Sequence, residues 1–241
     1  MKIEVWSDYA CPFCYIGKRR LEKAFDQFPN KENIEVEFKA FELDPNASKE
    51  TSLFIHELIS QKYGISLEEA TKMNNNIVQQ AAMDGLEFNF DSLKPSNTFD
   101  AHRLAKFAES KGKAAEITES LLQAYFTEGK NLSDHTTLVE LAVQIGIDKE
   151  EAIQFLQLET FGTDVRRDEE EARDIGVQGV PFFVFNQKYA ISGAQSVEVF
   201  LDTLNKVWEE ESNKPSLQHL SPSTNDGVCT DDSCEISTNN K

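Results

Sequence analysis

No run in the sequence approaches the ~18 consecutive apolar residues that a membrane-spanning helix needs, so a transmembrane segment is excluded. Positive charge is scarce. Lys and Arg number 24 against 42 Asp and Glu, which leaves a net charge of −18. That balance argues against nucleic acid and anionic lipid as partners and, taken alone, reads as plain solubility. There is no repeat of fixed period, no phosphate-cradling glycine loop and no nucleophilic-serine motif. His56, His135 and His219 make no spaced ligand set, and neither a metal nor a cofactor is expected. The opening stretch MKIEVWSDYACPFC lacks the basic and apolar blocks of a secretory signal, so a cytoplasmic location is expected. Cysteine is also rare: four residues in 241, in two close pairs at opposite ends. In a reducing compartment such pairs serve redox or metal chemistry more often than structure. At 39% hydrophobic the chain can bury a core, and its length suits one large domain or two small ones.

Periodicity gives the organisation. Ile3, Val5 and Trp6 predict a short strand, and Ile16, Leu21, Ala24, Phe25 and Phe28 predict a helix. Alternation from Ile34 to Phe41 predicts a second strand. From about 48 to 175 the pattern is helical, punctuated by Gly64, Gly85, Gly112, Gly129 and Gly146 at the positions of helix C-caps. Ser66 and Glu69 have the spacing of a capping box. Leu86, Phe88 and Phe90 suggest an extended connection, and Asp168 to Glu171 a solvated helix face. Residues 177–194 predict a β-hairpin turning at Asn186-Gln187, and Ser196 to Glu211 a closing helix. Beyond 212 the composition turns polar, which predicts a mobile tail.

The order is β-α-β, a helical block, then β-β-α. It predicts an α/β protein of thioredoxin-like topology with a large inserted all-helical domain. The expected division is a discontinuous domain of 1–46 plus 176–211, an insertion of 47–175 and a tail of 212–241.

Cys11 and Cys14 flank Pro12-Phe13 at the strand-to-helix junction. Pro suits the first helical position, where its missing N–H removes no bond. A helix N-terminus favours negative charge, which makes Cys11 the expected nucleophile and the deeper Cys14 the resolving thiol. The alternatives are half of a zinc site or two ordinary buried thiols. Val180-Pro181 opens the hairpin, and Pro there marks a strand edge or bend that admits a cis bond. Cys229 and Cys234 could close a small loop as an auxiliary redox pair, could stand idle, or could complete a metal site with the first pair. Asp231, Asp232 and Glu235 would slow attack by these thiols. His102, amid apolar residues, reads as a core histidine rather than a base.

Cys11-Pro12-Phe13-Cys14 after Val5-Trp6-Ser7-Asp8 resembles the DsbA-like thioredoxin-fold family. So do Gly179-Val180-Pro181-Phe182-Phe183 and Ile191-Ser192-Gly193-Ala194-Gln195. The cytoplasmic FrnE-like branch is similar also at Ala101-His102-Arg103-Leu104 and Tyr125-Phe126-Thr127-Glu128-Gly129. The resemblance spans about 1–211. It implies a cis Pro181 facing the dithiol, Cys11 as attacking thiol, and activity as a protein disulfide oxidoreductase or isomerase. Val180, Pro181 and Phe13 would then contact an extended substrate. The implied partners are protein thiols and disulfides, with glutathione or a thioredoxin-type reductant. The second Cys pair of some branch members matches Cys229 and Cys234. Kappa-type glutathione transferases and 2-hydroxychromene-2-carboxylate isomerases share the topology but carry Ser where Cys11 stands, so the Cys here weighs against glutathione-dependent isomerisation without excluding glutathione as a reductant, and a glutathione-dependent transferase or isomerase is an alternative. A redox-sensing, chaperone-like binding protein is another.

Overall fold

The structure, a computed structural model, describes residues 1–213 and the backbone of 229–230 and 233–234. Strand β1 (Lys2–Ser7) leads through a short turn into helix α1 (Pro12–Gln27) and strand β2 (Glu35–Ala40). Seven helices follow: α2 (Ile55–Tyr63), α3 (Leu67–Met83), α4 (Phe99–Glu109), α5 (Ala114–Phe126), α6 (His135–Gln144), α7 (Lys149–Gln157) and α8 (Gly162–Asp174). The chain then returns as β3 (Phe182–Phe185), β4 (Tyr189–Ser192) and α9 (Val197–Ser212). Cys229–Thr230 (β5) and Ser233–Cys234 (β6) form a two-residue antiparallel ladder.

The sheet runs β2-β1-β3-β4. β1 pairs parallel with β2 across the α1 crossover and antiparallel with β3. Central β1 is covered on both faces, so its alternation separates two apolar layers rather than core from solvent. Ile3 and Val5 meet Phe183, Phe185, Leu21, Ala24, Phe200 and Leu204, beneath α1 and α9. Trp6 faces the other way, with Ala172 of α8, Val177, Phe182 and Val184. Full burial of each Phe contributes roughly 1.5–3 kcal/mol, so Phe183, Phe185 and Phe200, each at 0% exposure, weigh heavily in holding α9 on the sheet.

The helices between β2 and β3 have a core of their own that reaches the first turns of α1. Leu104 of α4 and Leu121, Tyr125 and Phe126 of α5 cluster with Tyr9, Tyr15 and Ile16. Glu119 of α5 receives Tyr15 Oη (2.6 Å), Arg19 (2.6 Å) and Lys18 Nζ (2.5 Å).

Local signals hold well. The five expected cap glycines all have positive φ. Ser66 accepts from Glu69 N–H while Glu69 answers at the Ser66 N–H. Residues 86–90 form no strand, and Phe88 stacks on Phe126 at 4.8 Å. One expectation fails. Asp168 is not on a solvated face but is 1% exposed, where it accepts from Ala40 N–H (2.9 Å) and Lys106 Nζ (2.7 Å). No helix among the described residues is long and apolar enough to cross a membrane.

Candidate active site

β1 delivers the chain to Ser7, and a turn closed by Cys11 N–H donating to Asp8 O (3.1 Å) redirects it. Cys11 caps α1 in an extended conformation (φ −97°, ψ 112°), and Pro12 takes the first helical position. No acidic side chain lies in the first turn of α1, so the partial positive charge of its free N–H groups faces Cys11 unopposed from within the helix.

Both thiols are free, Cys11 at 4% exposure and Cys14 at 2%. Cys14 N–H donates to Cys11 O (3.0 Å), which places Cys14 in the first turn of α1 after Cys11. Cys11 Sγ donates to Val180 O (3.5 Å), and the Val180–Pro181 peptide bond is cis. Pro181 O accepts from Gly193 N–H (2.8 Å). Arg20 of α1 holds Ala194 O at 2.7 Å and Asp84 at 2.7 Å, so α1 grips the loop behind Pro181. Phe13 points outward at 37% exposure beside the dithiol. The structure thus brings Cys11, Cys14, Val180 and Pro181 together with Phe13 on the adjacent surface. The side chains of Cys229 and Cys234 lie outside the described residues.

One residue of the quoted motif carries more than the sequence reading gave it. Asp8 is 1% exposed, and its N–H donates to Cys14 Sγ (3.4 Å). Its carboxylate accepts from Leu43 N–H (2.7 Å) and Ala10 N–H (3.3 Å), and His102 Nε2 lies 3.4 Å from Oδ1. Burial alone would raise this carboxyl. The hydrogen bond and charge of His102, with the Leu43 N–H and the Thr98 hydroxyl, hold it below the usual Asp range. Cys14 is pushed well above the usual thiol range, first by burial, then by Cys11, and also by the charge of Asp8. The signal was an acid inside an otherwise apolar approach to the thiols. His102 is indeed a core residue at 3% exposure, with its ring 4.7 Å from Tyr9. Among the described residues no group of three or more His, Cys, Asp or Glu side chains is placed to hold a metal.

The profile of the DsbA-like thioredoxin domain matches residues 2–205. The chain belongs to the DsbA-like thioredoxin family. The crystal structure of a probable DsbA oxidoreductase from Streptomyces coelicolor is 36% identical, with a TM-score of 0.85 over 99% of this chain and 100% of that one. An uncharacterised Bacillus subtilis protein, YwbO, is 30% identical over 82% of this chain and 92% of its own. A 2-hydroxychromene-2-carboxylate isomerase shares the fold at 14% identity, with a TM-score of 0.64 over 90% of this chain and 100% of that one. Within this DsbA-like fold Cys11 and Cys14 stand together at the start of α1.

Proposed function

We propose that this DsbA-like protein is a thiol–disulfide oxidoreductase or isomerase acting on protein disulfides through Cys11 and Cys14. One observation carries the reading: Cys11 caps α1, with its sulfur 3.5 Å from the Val180 carbonyl that precedes Pro181. The N–H groups of the first turn stabilise negative charge on Cys11, which attacks one sulfur of a substrate disulfide. A mixed disulfide forms on Cys11 and the other substrate sulfur leaves as a thiolate. Cys14 then attacks the Cys11 sulfur, the protein dithiol is oxidised, and the second substrate sulfur is released reduced. In an isomerase a different substrate thiolate instead attacks the substrate sulfur of the mixed disulfide, a new substrate disulfide forms, and Cys11 leaves as a thiolate with the dithiol recovered.

An extended substrate segment lies along Val180 and Pro181, and Phe13 supplies apolar contact. In this reading 47–175 is an insertion into a domain made of 1–46 and 176–211, and it walls the cleft. The working location is the cytoplasm, as in the FrnE-like branch, with glutathione or a thioredoxin-type protein as redox partner. Cys229 and Cys234 act as an auxiliary pair exchanging with the dithiol. Their replacement by Ser should alter turnover or redox poise, and an unchanged enzyme removes them from the mechanism.

The test of the central reading is reduction of insulin disulfides by dithiothreitol, with wild type, with Cys11→Ser and without protein. Acceleration by wild type that Cys11→Ser abolishes is the expected result. No acceleration overturns the reading and transfers weight to a glutathione-dependent transferase or isomerase. Suppression of aggregation that survives Cys11→Ser would instead indicate a binding protein.

A further inference from the structure

We propose that Asp8 and His102 form a buried pair that governs when Cys14 closes on Cys11, Asp8 as the charge beside the resolving thiol and His102 as the residue that keeps that charge in place. The inference deepens the dithiol reading above and rests on it.

The geometry puts Asp8 against Cys14. Its N–H is bonded to Cys14 Sγ, and the residue is closed off from water at 1% exposure. The groups that face it come from every neighbouring element: Tyr9 and the Ala10 N–H from the turn before α1, Cys14 from α1, Leu43 N–H after β2, Thr98 at the N-cap of α4, His102 from α4, and Tyr125 from α5. In this set the Asp8 carboxyl is held down most by the side-chain hydrogen bond from His102. Behind it, the buried Glu42 is held by Arg166 of α8, and Glu42 Oε1 makes no hydrogen bond among the described residues. Such a pair is costly to bury, so it is a weak source of stability and a strong source of local field.

The field orders the reaction. In the reduced protein the charges of Cys11 and Asp8 both oppose ionisation of Cys14, so its proton stays on. When Cys11 enters a mixed disulfide its charge is gone, and Asp8 remains as the brake on closure. Cys14 then gives its proton to the departing substrate thiolate as its sulfur bonds to Cys11 and the bond to substrate breaks. Asp8 thereby sets the lifetime of the mixed disulfide. It also disfavours the reduced, thiolate-bearing state, which makes the protein a weaker oxidant than the helix N-terminus alone would. His102 acts through Asp8. Without it, only the Leu43 N–H and the Thr98 hydroxyl are left to oppose burial, the carboxyl takes up a proton more readily, and the brake becomes pH-dependent.

The experiment is the redox equilibrium of the full chain with reduced and oxidised glutathione from pH 5 to 8. It is read by alkylation and mass analysis of the tryptic peptide 3–18, which holds Cys11 and Cys14 and neither of the other cysteines. Each variant is compared with wild type at the same pH, so that ordinary thiol titration cancels. Asp8→Asn should lower the oxidation constant about tenfold, which corresponds to about 30 mV toward the oxidising side, and should speed release of the second thiolate from a mixed disulfide with an aromatic thiol. His102→Leu should match or exceed wild type at pH 8 and fall toward the Asp8→Asn value at pH 5. The double variant should track Asp8→Asn at every pH. An Asp8→Asn constant within twofold of wild type overturns the proposal. So does a His102→Leu shift that persists when Asp8 is already Asn, because a merely structural histidine would behave that way. Asp8→Ser and His102→Gln give the same comparison where the first choices do not fold. If wild-type peptide 3–18 never forms its disulfide at any glutathione ratio, the dithiol reading itself fails. A normal wild-type equilibrium with unmoved variants sinks only the Asp8–His102 assignment.

Discussion

Gly17 lies directly beneath Pro181: a Cβ at Gly17 would stand 3.1 Å from Pro181 Cγ and 3.1 Å from Phe183 Cζ. The missing side chain on α1 is what lets the helix approach the loop that faces Cys11. Phe183 is fully buried and cannot move aside, and Pro181 is buried too. Gly17→Ala gains about 1 kcal/mol of helix propensity but overpacks the contact at a cost of about 1–3 kcal/mol. The expected outcome is a small net loss of stability with a larger loss of function, because Pro181 shifts relative to the thiols. Urea unfolding and insulin reduction on the same preparation separate the two. A variant as stable and as active as wild type would show that the close approach is unimportant.

Cys14→Ser tests the division of labour between the thiols. Cys11 caps the helix and stays able to attack, whereas the buried resolving sulfur is gone. On incubation with oxidised glutathione the variant should accumulate one glutathione on Cys11, located by peptide mapping. Cys11→Ser should acquire none at Cys14, whose thiol burial and the charge of Asp8 still hold protonated when Cys11 is gone. Equal labelling of both variants would contradict this assignment of roles.

Much of this arrangement was legible in the sequence because its signals are local. Pro12 after an apolar strand places a helix start, the capping box at Ser66 and Glu69 places another, and five glycines mark helix ends. What was illegible depends on partners far away in the chain. Asp168 sits in a run of acids that looks solvated, and it is buried only because Ala40, 128 residues earlier, offers its N–H. Asp8 is similar: its role comes from His102, 94 residues on, and no spacing rule connects the two. Gly17 shows no positive φ, so nothing in its own backbone marks it out, and only the packing of Pro181 and Phe183 does.

Two carboxylates shape the acid limb of stability. For Asp100, burial raises the carboxyl, but hydrogen bonds from His135, Lys49 and Arg103 bring it down to about 2. For Glu37, burial is likewise outweighed by Lys2 and Lys39, and the value is again about 2. Both lie below their unfolded values of roughly 3.9 and 4.3. The stability they contribute is therefore present above pH ~4 and is lost as the pH falls from about 4 to 2. Urea midpoints should drop through that window. Asp100→Asn should be less stable at pH 7 and show a shallower drop. An acid limb of unchanged slope in Asp100→Asn would contradict the link.

Asp168 fastens β2, α4 and α8 together. Its carboxylate accepts from Ala40 N–H and Lys106 Nζ, and Lys39 Nζ lies 3.6 Å from it. Its backbone carbonyl takes the indole N–H of Trp6 at 2.9 Å. Removing the side chain leaves Lys106 buried with only the Phe38 carbonyl and Glu109 nearby, and leaves the Ala40 N–H unbonded. Breaking a buried pair in this way costs about 3–5 kcal/mol, which is the expected loss for Asp168→Leu. Asp168→Asn keeps an acceptor for Ala40 and should lose about half as much. Adding Lys106→Met to Asp168→Leu should recover part of the loss, because the orphaned buried charge goes with it. Glu170 is exposed in the same run of acids, and Glu170→Ala should change stability by no more than about 0.5 kcal/mol. Urea unfolding of the four variants decides between a buried clamp and a solvated face: equal small effects at 168 and 170 would restore the solvated face, and the expected contrast would tie α8 to the sheet through one carboxylate.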